Sequence, residues 1–358
     1  MRRACVALIL AIIVLLRVPE RARAEWMPDS VRKTLDVFFI DVEGGQSTLV
    51  VTPTGQSLLI DAGYAGRGER DLNRVLDVAR EAHVERIDRL LITHFHADHV
   101  GGVAALAARI PIGLFIDYGS PLGTPLGVDV MAARSFPPYE NVRDESHHVQ
   151  PKPGDRLPLD GVEATVVSAA GDVIKTPLPG AGQPNAACGD AGPDPDDGTE
   201  NYRSIGVQIR YGEFTFLDLG DLSGDPLLKL VCPRNMIGPA TVYLIAHHGN
   251  YDTSIPAVYA ALRPRVAVMN NGPSKGGDPT ALQVARRSPG LEGLWQLHVA
   301  RSLDANNSET ALVANVDDGS DGHWIKLSAA ADGSFAIENG RTGVTKTYAR
   351  VPKQALVD

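Results

Sequence analysis

Aromatic side chains make up only 6% of the 358 residues, three residues are cysteine, and one stretch alone is long and apolar. So few aromatics argue against a surface that stacks successive bases of single-stranded nucleic acid. With 44% hydrophobic and 22% charged residues the chain is neither disordered nor collagen-like, and one apolar stretch excludes a multi-span membrane protein. No P-loop, dinucleotide fingerprint or Ser/Cys nucleophile motif is visible, and no short repeat recurs. What is present is the composition of a globular α/β protein, with enough Gly (36) and Pro (25) for many loops.

The apolar stretch lies at the start. Arg2 and Arg3 precede a 12-residue run, 5–16 (CVALILAIIVLL), and Ala22-Arg23-Ala24 supplies small residues for cleavage. The run is too short to span a bilayer comfortably, so 1–24 reads as a secretory signal peptide and 25–358 as the mature domain, periplasmic or secreted. Cleavage leaves 29 basic and 42 acidic residues, a net charge of −13. That sign opposes binding to duplex nucleic acid by counterion release. Of the cysteines, Cys188 and Cys232 remain; they form a disulfide in an oxidising compartment, or two free thiols.

Further along, short β-rich runs alternate with helical patterns. Strands are expected at 37–42, 47–51, 57–60, 89–93, 113–117, 162–167, 205–210, 214–219, 242–246 and 266–269, and helices at 71–84, 101–110 and 255–262. A C-terminal hairpin, 324–326 with 335–338, turns at Asp332-Gly333. One segment breaks the pattern: 176–200 holds five Pro and five Gly and reads as a long surface loop.

The chemistry concentrates in 93–102, THFHADHVGG. His94, His96, Asp98 and His99 fall within six residues of a strand-to-helix loop. Imidazole and carboxylate suit a divalent ion such as zinc, and a tight loop can aim them at a common point. His94 and His96 face one ion; Asp98 and His99 turn toward a second.

This run resembles the H-x-H-x-D-H signature of the metallo-β-lactamase superfamily, and the resemblance extends over roughly residues 34–315. It implies an α/β fold, a four-layer αββα sandwich. It also implies that Asp61 in LLIDAG orients the metal loop, that Asp221 in FLDLGDL bridges two ions in preference to Asp218, and that His247 or His248 in LIAHHGN is the last histidine ligand. The spacing favours His247, with His248 then near the metal or the substrate. Within the superfamily the chain is most similar to the hydrolase domain of ComEC-like DNA-uptake proteins and their secreted relatives. The matching stretches are FIDVEGGQS with Asp41, ENYRSIGVQIRYGEFTFLDLGDL, HHGN with Ser254, and PRVAVMNNGPSKGGDP with Lys275. Asp41 is expected behind the ligands and Ser254 and Lys275 at the substrate. The chain departs from the pattern at Glu43 and Gln46 and at Gly277-Asp278-Pro279.

The superfamily's remaining histidine is missing. The strand at 162–167 leads into Ser168-Ala169-Ala170-Gly171, and no histidine lies between 149 and 246. His147 and His148 are expected at the surface, and His83, His298 and His323 in structural roles. One ion would then hold only His94, His96 and Asp221, with water or Asn201 filling in. The implied cofactor is zinc, one or two ions, with manganese an alternative.

A divalent ion lowers the pKa of water toward neutrality and polarises an electrophile, and Asp98 can orient that water and take its proton. The expected substrate is a phosphodiester, with Lys275 at the phosphate. A β-lactam, a lactone or another ester or amide is the alternative. A non-catalytic metal-binding protein is a third class.

Overall fold

The structure, a computed structural model, describes residues 34–124, 127–189, 198–317 and 321–351. The expected signal peptide, Cys5, and part of the 176–200 loop lie outside them. Among the described residues two nine-stranded sheets form. The first runs Thr345–Tyr348, Phe335–Asn339, Ile325–Ala329, Leu35–Phe39, Thr48–Val51, Ser57–Ile60, Arg89–Leu91, Phe115–Ile116, His148–Val149. The second runs Asp172–Val173, Glu163–Ala169, Gly206–Tyr211, Phe214–Asp218, Val242–Leu244, Val266–Met269, Gly293–His298, Val313–Asn315, with Arg156–Leu157 beside Glu163–Ala169. Each sheet is antiparallel up to one strand, Ser57–Ile60 or Phe214–Asp218, and parallel beyond it.

The strand residues explain the layering. Successive side chains alternate between faces, and the parallel strands are apolar on both. In the second sheet Phe214, Phe216, Val242, Leu244, Val266 and Val268 pack in the core between the sheets. Leu217, Tyr243, Ala267 and Met269 join a second core with helices Gly224–Val231, Pro256–Leu262 and Pro279–Arg286. The first sheet is covered in the same way by Arg70–Glu81, Val103–Ala107 and Val130–Asp144. Phe39 and Phe216 meet across the interface with ring centroids 5.7 Å apart. The order is helix, sheet, sheet, helix: the αββα sandwich.

Several expected elements shift. The helix expected at 101–110 is two short ones, Ala97–Val100 and Val103–Ala107, so Asp98 and His99 lie on a helical turn rather than in a preceding loop. Val130–Asp144 was not legible, because Pro137 and Pro138 sit inside it and its apolar pattern is weak. The C-terminal hairpin is a three-stranded meander that joins the first sheet through Ile325–Ala329 beside Leu35–Phe39. The 176–200 loop is docked rather than free. Residues 178–185 pair along 233–236, and Cys188 is bonded to Cys232 with their Cα atoms 5.7 Å apart.

Candidate metal centre

The candidate ligands follow the carboxyl ends of parallel strands, where loops converge at one edge of the sandwich. Arg89–Leu91 leads to 93–99, Phe214–Asp218 to Asp221, Val242–Leu244 to His247 and His248, and Ser57–Ile60 to Asp61. Close backbone approach brings them together. A Cβ on Gly45 would lie 2.4 Å from the Asp98 carbonyl oxygen, and one on Gly102 would lie 2.1 Å from that of Ala62. The glycines of EGGQ and HVGG are therefore needed where the opening loop and the Asp61 loop abut the ligand helix.

One ligand atom from each of Asp98, His99, Asp221 and His248 lies within 4.8 Å of all the others, and all four residues are buried. His99 Nε2 is 3.2 Å from Asp98 Oδ2 and 3.1 Å from Asp221 Oδ2. His248 Nε2 is 3.2 Å and 3.1 Å from the same two atoms, at angles that make no hydrogen bond with either. Both nitrogens of His248 and Oδ1 of Asp221 are buried without a hydrogen-bond partner. Buried polar atoms are rarely left so; a divalent cation at this point would take up His248 Nε2, the nitrogen that faces both carboxylates, and two imidazoles with two carboxylates are a donor set that suits one. His94 Nε2 and His96 Nδ1 face each other at 3.0 Å beside the cluster.

Neighbouring carboxylates orient the histidines. Asp61, buried and bonded to the backbone and hydroxyl of Thr93, accepts from His99 Nδ1 at 2.7 Å. His96 Nε2 is 2.8 Å from Asp129 Oδ2. Asp129 also caps the helix Val130–Asp144, accepting from Met131 N. Sequence reasoning missed Asp129; an N-cap aspartate ahead of a helix was its only signal. Such carboxylate–histidine pairs set the tautomer and aim of metal-binding imidazoles.

With no ion between them, the carboxylates and imidazoles of this cluster shift one another strongly. Burial raises the Asp98 carboxyl, but His99, His248 and Lys275 outweigh it and hold the group well below the usual carboxylate range. Asp221 is likewise pushed up by burial and brought well down by His248, His99 and His247. Burial disfavours charge on His99, yet Asp221, Asp98 and Asp61 raise it well above the usual imidazole value. Lys275 bonds Asp98 through Nζ. The protein thus carries its own positive charge where the carboxylates converge.

The structure separates residues that the sequence left together. His248, not the favoured His247, enters the four-donor cluster; His247 Nε2 is 3.8 Å from Asp221 Oδ2, and its Nδ1 pairs with Asp252 at 2.8 Å. Asp221 is in the cluster, whereas Asp218 holds Gln46 Nε2 at 3.0 Å and the Gly220 N–H at 2.9 Å. Asp41 is not behind the ligands but between Arg74 and His298. Ser254 bonds the Asn250 carbonyl within its own turn. Asn201 Nδ2 is 3.3 Å from His247 Nε2. His147 is exposed, and His148 bonds Asp117 at 2.8 Å.

Above the cluster a cleft of about 420 Å³ is lined by His96, Asp98, Asp129, Asn201, His247 and Lys275, among others. Its lip, Gly198 to Asn201, is tied down by Glu200. This buried carboxyl takes hydrogen bonds from Tyr118 and, at 3.1 Å, from Leu122 N, while its own N–H bonds Asp129. Burial, against Leu122 and Arg203, pushes Glu200 up to about 7.

Residues 40–183 match the family model of the metallo-beta-lactamase superfamily. With the layer order and the sheet topology, the fold is that of a metallo-β-lactamase domain. Shorter stretches are similar to curated proteins. A UPF0173 metal-dependent hydrolase of Herpetosiphon aurantiacus is 36% identical over 66 residues, 18% of this chain and 25% of that protein. A ribonuclease Z of Bradyrhizobium sp. is 35% identical over 83 residues, 23% and 25%. An atrochrysone carboxyl ACP thioesterase of Passalora fulva is 39% identical over 67 residues, 19% of each. The match thus spans about a quarter or less of the length of these relatives. The metallo-beta-lactamase fold protein YhfI of Bacillus subtilis superposes with a TM-score of 0.44 at 14% identity, covering 73% of this chain and 95% of that one.

Proposed function

We propose that the protein is a metal-dependent hydrolase that cleaves phosphodiesters outside the cytoplasm. The observation that carries the reading is the buried Asp98, His99, Asp221 and His248 cluster, with its partnerless nitrogens, at the floor of an open cleft. These residues would hold the ion, most simply zinc, with manganese as the alternative. A bound divalent ion supplies Lewis acidity and a water acidic enough to attack near neutral pH. The protein's own residues do the rest. Asp98, whose carboxylate is paired with Lys275 Nζ, orients the attacking water and receives its proton. Asp61 and Asp129 fix the rings of His99 and His96. Lys275, kept charged by Asp98 and Asp221 against its burial, offers a cation to a phosphoryl oxygen at the cleft floor.

The phosphodiester reading is supported by that lysine and by the similarity to a ribonuclease Z segment. The similarity to a thioesterase segment supports acyl substrates as the second reading. At a mature charge of −13, the protein engages few phosphates at once, so small or exposed phosphodiesters suit it better than duplex DNA. Export is supported by the N-terminal apolar run and by the Cys188–Cys232 bond, since such bonds persist in oxidising compartments. A panel of chromogenic phosphodiester, β-lactam, lactone and thioester substrates, with and without chelator and across a salt series, tests the reading. Chelator-sensitive turnover of the phosphodiester with weak salt dependence is expected. Turnover of an acyl substrate alone moves the second reading to first place.

A further inference from the structure

We propose that Arg67 and Tyr64 form a second phosphate subsite beside the metal centre, so that the protein takes phosphodiesters carrying a further phosphate. The proposal rests on the phosphodiester reading above and narrows its substrate class. Its starting point is a cation that the fold leaves unused. The arginines around this loop are each held by a carboxylate: Arg70 by Glu43 and Asp71, Arg74 by Asp41, and Arg109 by Glu69 at 3.5 Å. Arg67 is exposed, and among the described residues no carboxylate pairs with it. Its guanidinium lies instead on the Tyr64 ring, with Cζ 4.0 Å from the ring centroid. Stacking on an aromatic face fixes the plane of a guanidinium and uses none of its N–H donors. A planar fork of such donors binds phosphate oxygens two at a time.

The same ring connects Arg67 to the cleft. Lys275 Nζ is 5.8 Å from the Tyr64 centroid, and Lys275 bonds Asp98 at the cleft floor. Lys275, Tyr64 and Arg67 thus form a row that leaves the metal centre at Asp98 and ends in solvent. Close backbone approaches hold the row in place. Gly102 N donates to Gly63 O at 2.9 Å, and a Cβ on Gly101 would lie 2.7 Å from Ala65 N, so residues 63–65 rest on the ligand helix. Buried Asp71 accepts from Tyr64 N at 2.9 Å. A Cβ on Gly44 would lie 2.8 Å from Lys275 Cβ, so the opening loop sets the position of the lysine.

The turn that carries Arg67 is strained. Gly66, Arg67, Gly68 and Glu69 are left-handed in succession, with φ of 75°, 50°, 67° and 60°. Arg67 and Glu69 carry a Cβ in a region where few non-glycine residues settle. The Glu69 N–H closes the turn on Gly66 O at 2.8 Å. Such strain persists where the surroundings hold it, and it clusters at ligand clamps. Here its result is an arginine laid on a ring rather than paired with Glu69.

The ligand chemistry follows from the row. With one phosphoryl group at the ion and Lys275, a second phosphate on the same molecule meets Arg67 past the Tyr64 ring. A nucleotide with its diester at the 5′ oxygen and a phosphate at the 3′ oxygen has that form; a simple dialkyl or diaryl phosphate does not. Two local contacts also suit an acidic chain that gathers no long polyanion.

Two chromogenic substrates that differ by one phosphate test this: thymidine 5′-(p-nitrophenyl phosphate) and the same compound with a 3′-phosphate. Water displaces p-nitrophenolate from phosphorus in both, so the reaction followed is identical. The zinc-loaded full chain should show a KM about 10-fold lower for the second substrate with similar kcat, as expected for one charge-assisted contact made equally in the ground and transition states. Arg67→Ala should bring the two KM values together, and Arg67→Glu should reverse their order. Tyr64→Leu should shrink the ratio, whereas Tyr64→Phe, which keeps the ring, should retain it. Equal KM values in the wild type, or the same ratio in the wild type and Arg67→Ala, would overturn the subsite while leaving the phosphodiester reading intact. Turnover of neither substrate would overturn that reading, and the subsite with it.

Discussion

Replacing Glu200 with glutamine isolates one buried ionisation at the lip of the cleft. The carboxyl is buried and hydrogen-bonded by Tyr118 and Leu122, and its pKa is raised from 4.5 to about 7. The sign follows from linkage. Below about 4.5 the group is protonated in both folded and unfolded chains and adds no pH dependence. Between 4.5 and about 7 the unfolded chain ionises while the folded one keeps its proton, so stability falls as pH rises. Above about 7 the loss is complete and constant. At 1.36 kcal/mol for each pH unit the loss amounts to about 3 kcal/mol. Glutamine keeps the shape, offers its carbonyl to Leu122 N and its NH2 to the Tyr118 hydroxyl, and does not titrate. Urea unfolding of both proteins, without metal, at pH steps from 4 to 8 measures the effect. Glu200→Gln should gain about 3 kcal/mol on the wild type across that range. Parallel stability curves would refute the reasoning, since they would mean that the carboxyl ionises as easily folded as unfolded.

Two further predictions concern packing. Gly102→Ala places a methyl 2.1 Å from the Ala62 carbonyl oxygen; it should cost at least about 2 kcal/mol and weaken zinc binding, because Ala62 N also holds the His99 carbonyl. Denaturant midpoints and a zinc titration check both, and unchanged values would show that the two loops do not abut. Cys188→Ser should lower stability by up to about 4 kcal/mol for a 44-residue separation; complete alkylation of both wild-type thiols without reductant would show that the bond is not formed.

The ligand loop was legible because its message is local. Four donors within six residues, after an apolar run and before two glycines, leave little for distant parts of the chain to decide. The same holds for the alternation that marks strands buried on both faces, whereas the choice of Asp221 over Asp218 came from the resemblance and its Gly-Asp pair. The helix Val130–Asp144 was hidden because its prolines contradict propensity; packing against Phe95 through Phe136 and Tyr139 supports it, beside the Asp129 cap.

What the tertiary structure alone decided is direction. His247 and His248 are adjacent, and spacing ranks them only if the backbone between them is regular; two left-handed residues in succession make it irregular. Asp129 and Asp252 acquire meaning from the imidazoles they touch, one 33 residues away in the chain and one five. Asp41 and Ser254 lie in matching stretches yet turn to other partners. Ligand types and their order are properties of the chain. Which nitrogen faces which carboxylate depends on loops from several strand ends meeting at one edge, and only the folded sheets bring those ends together.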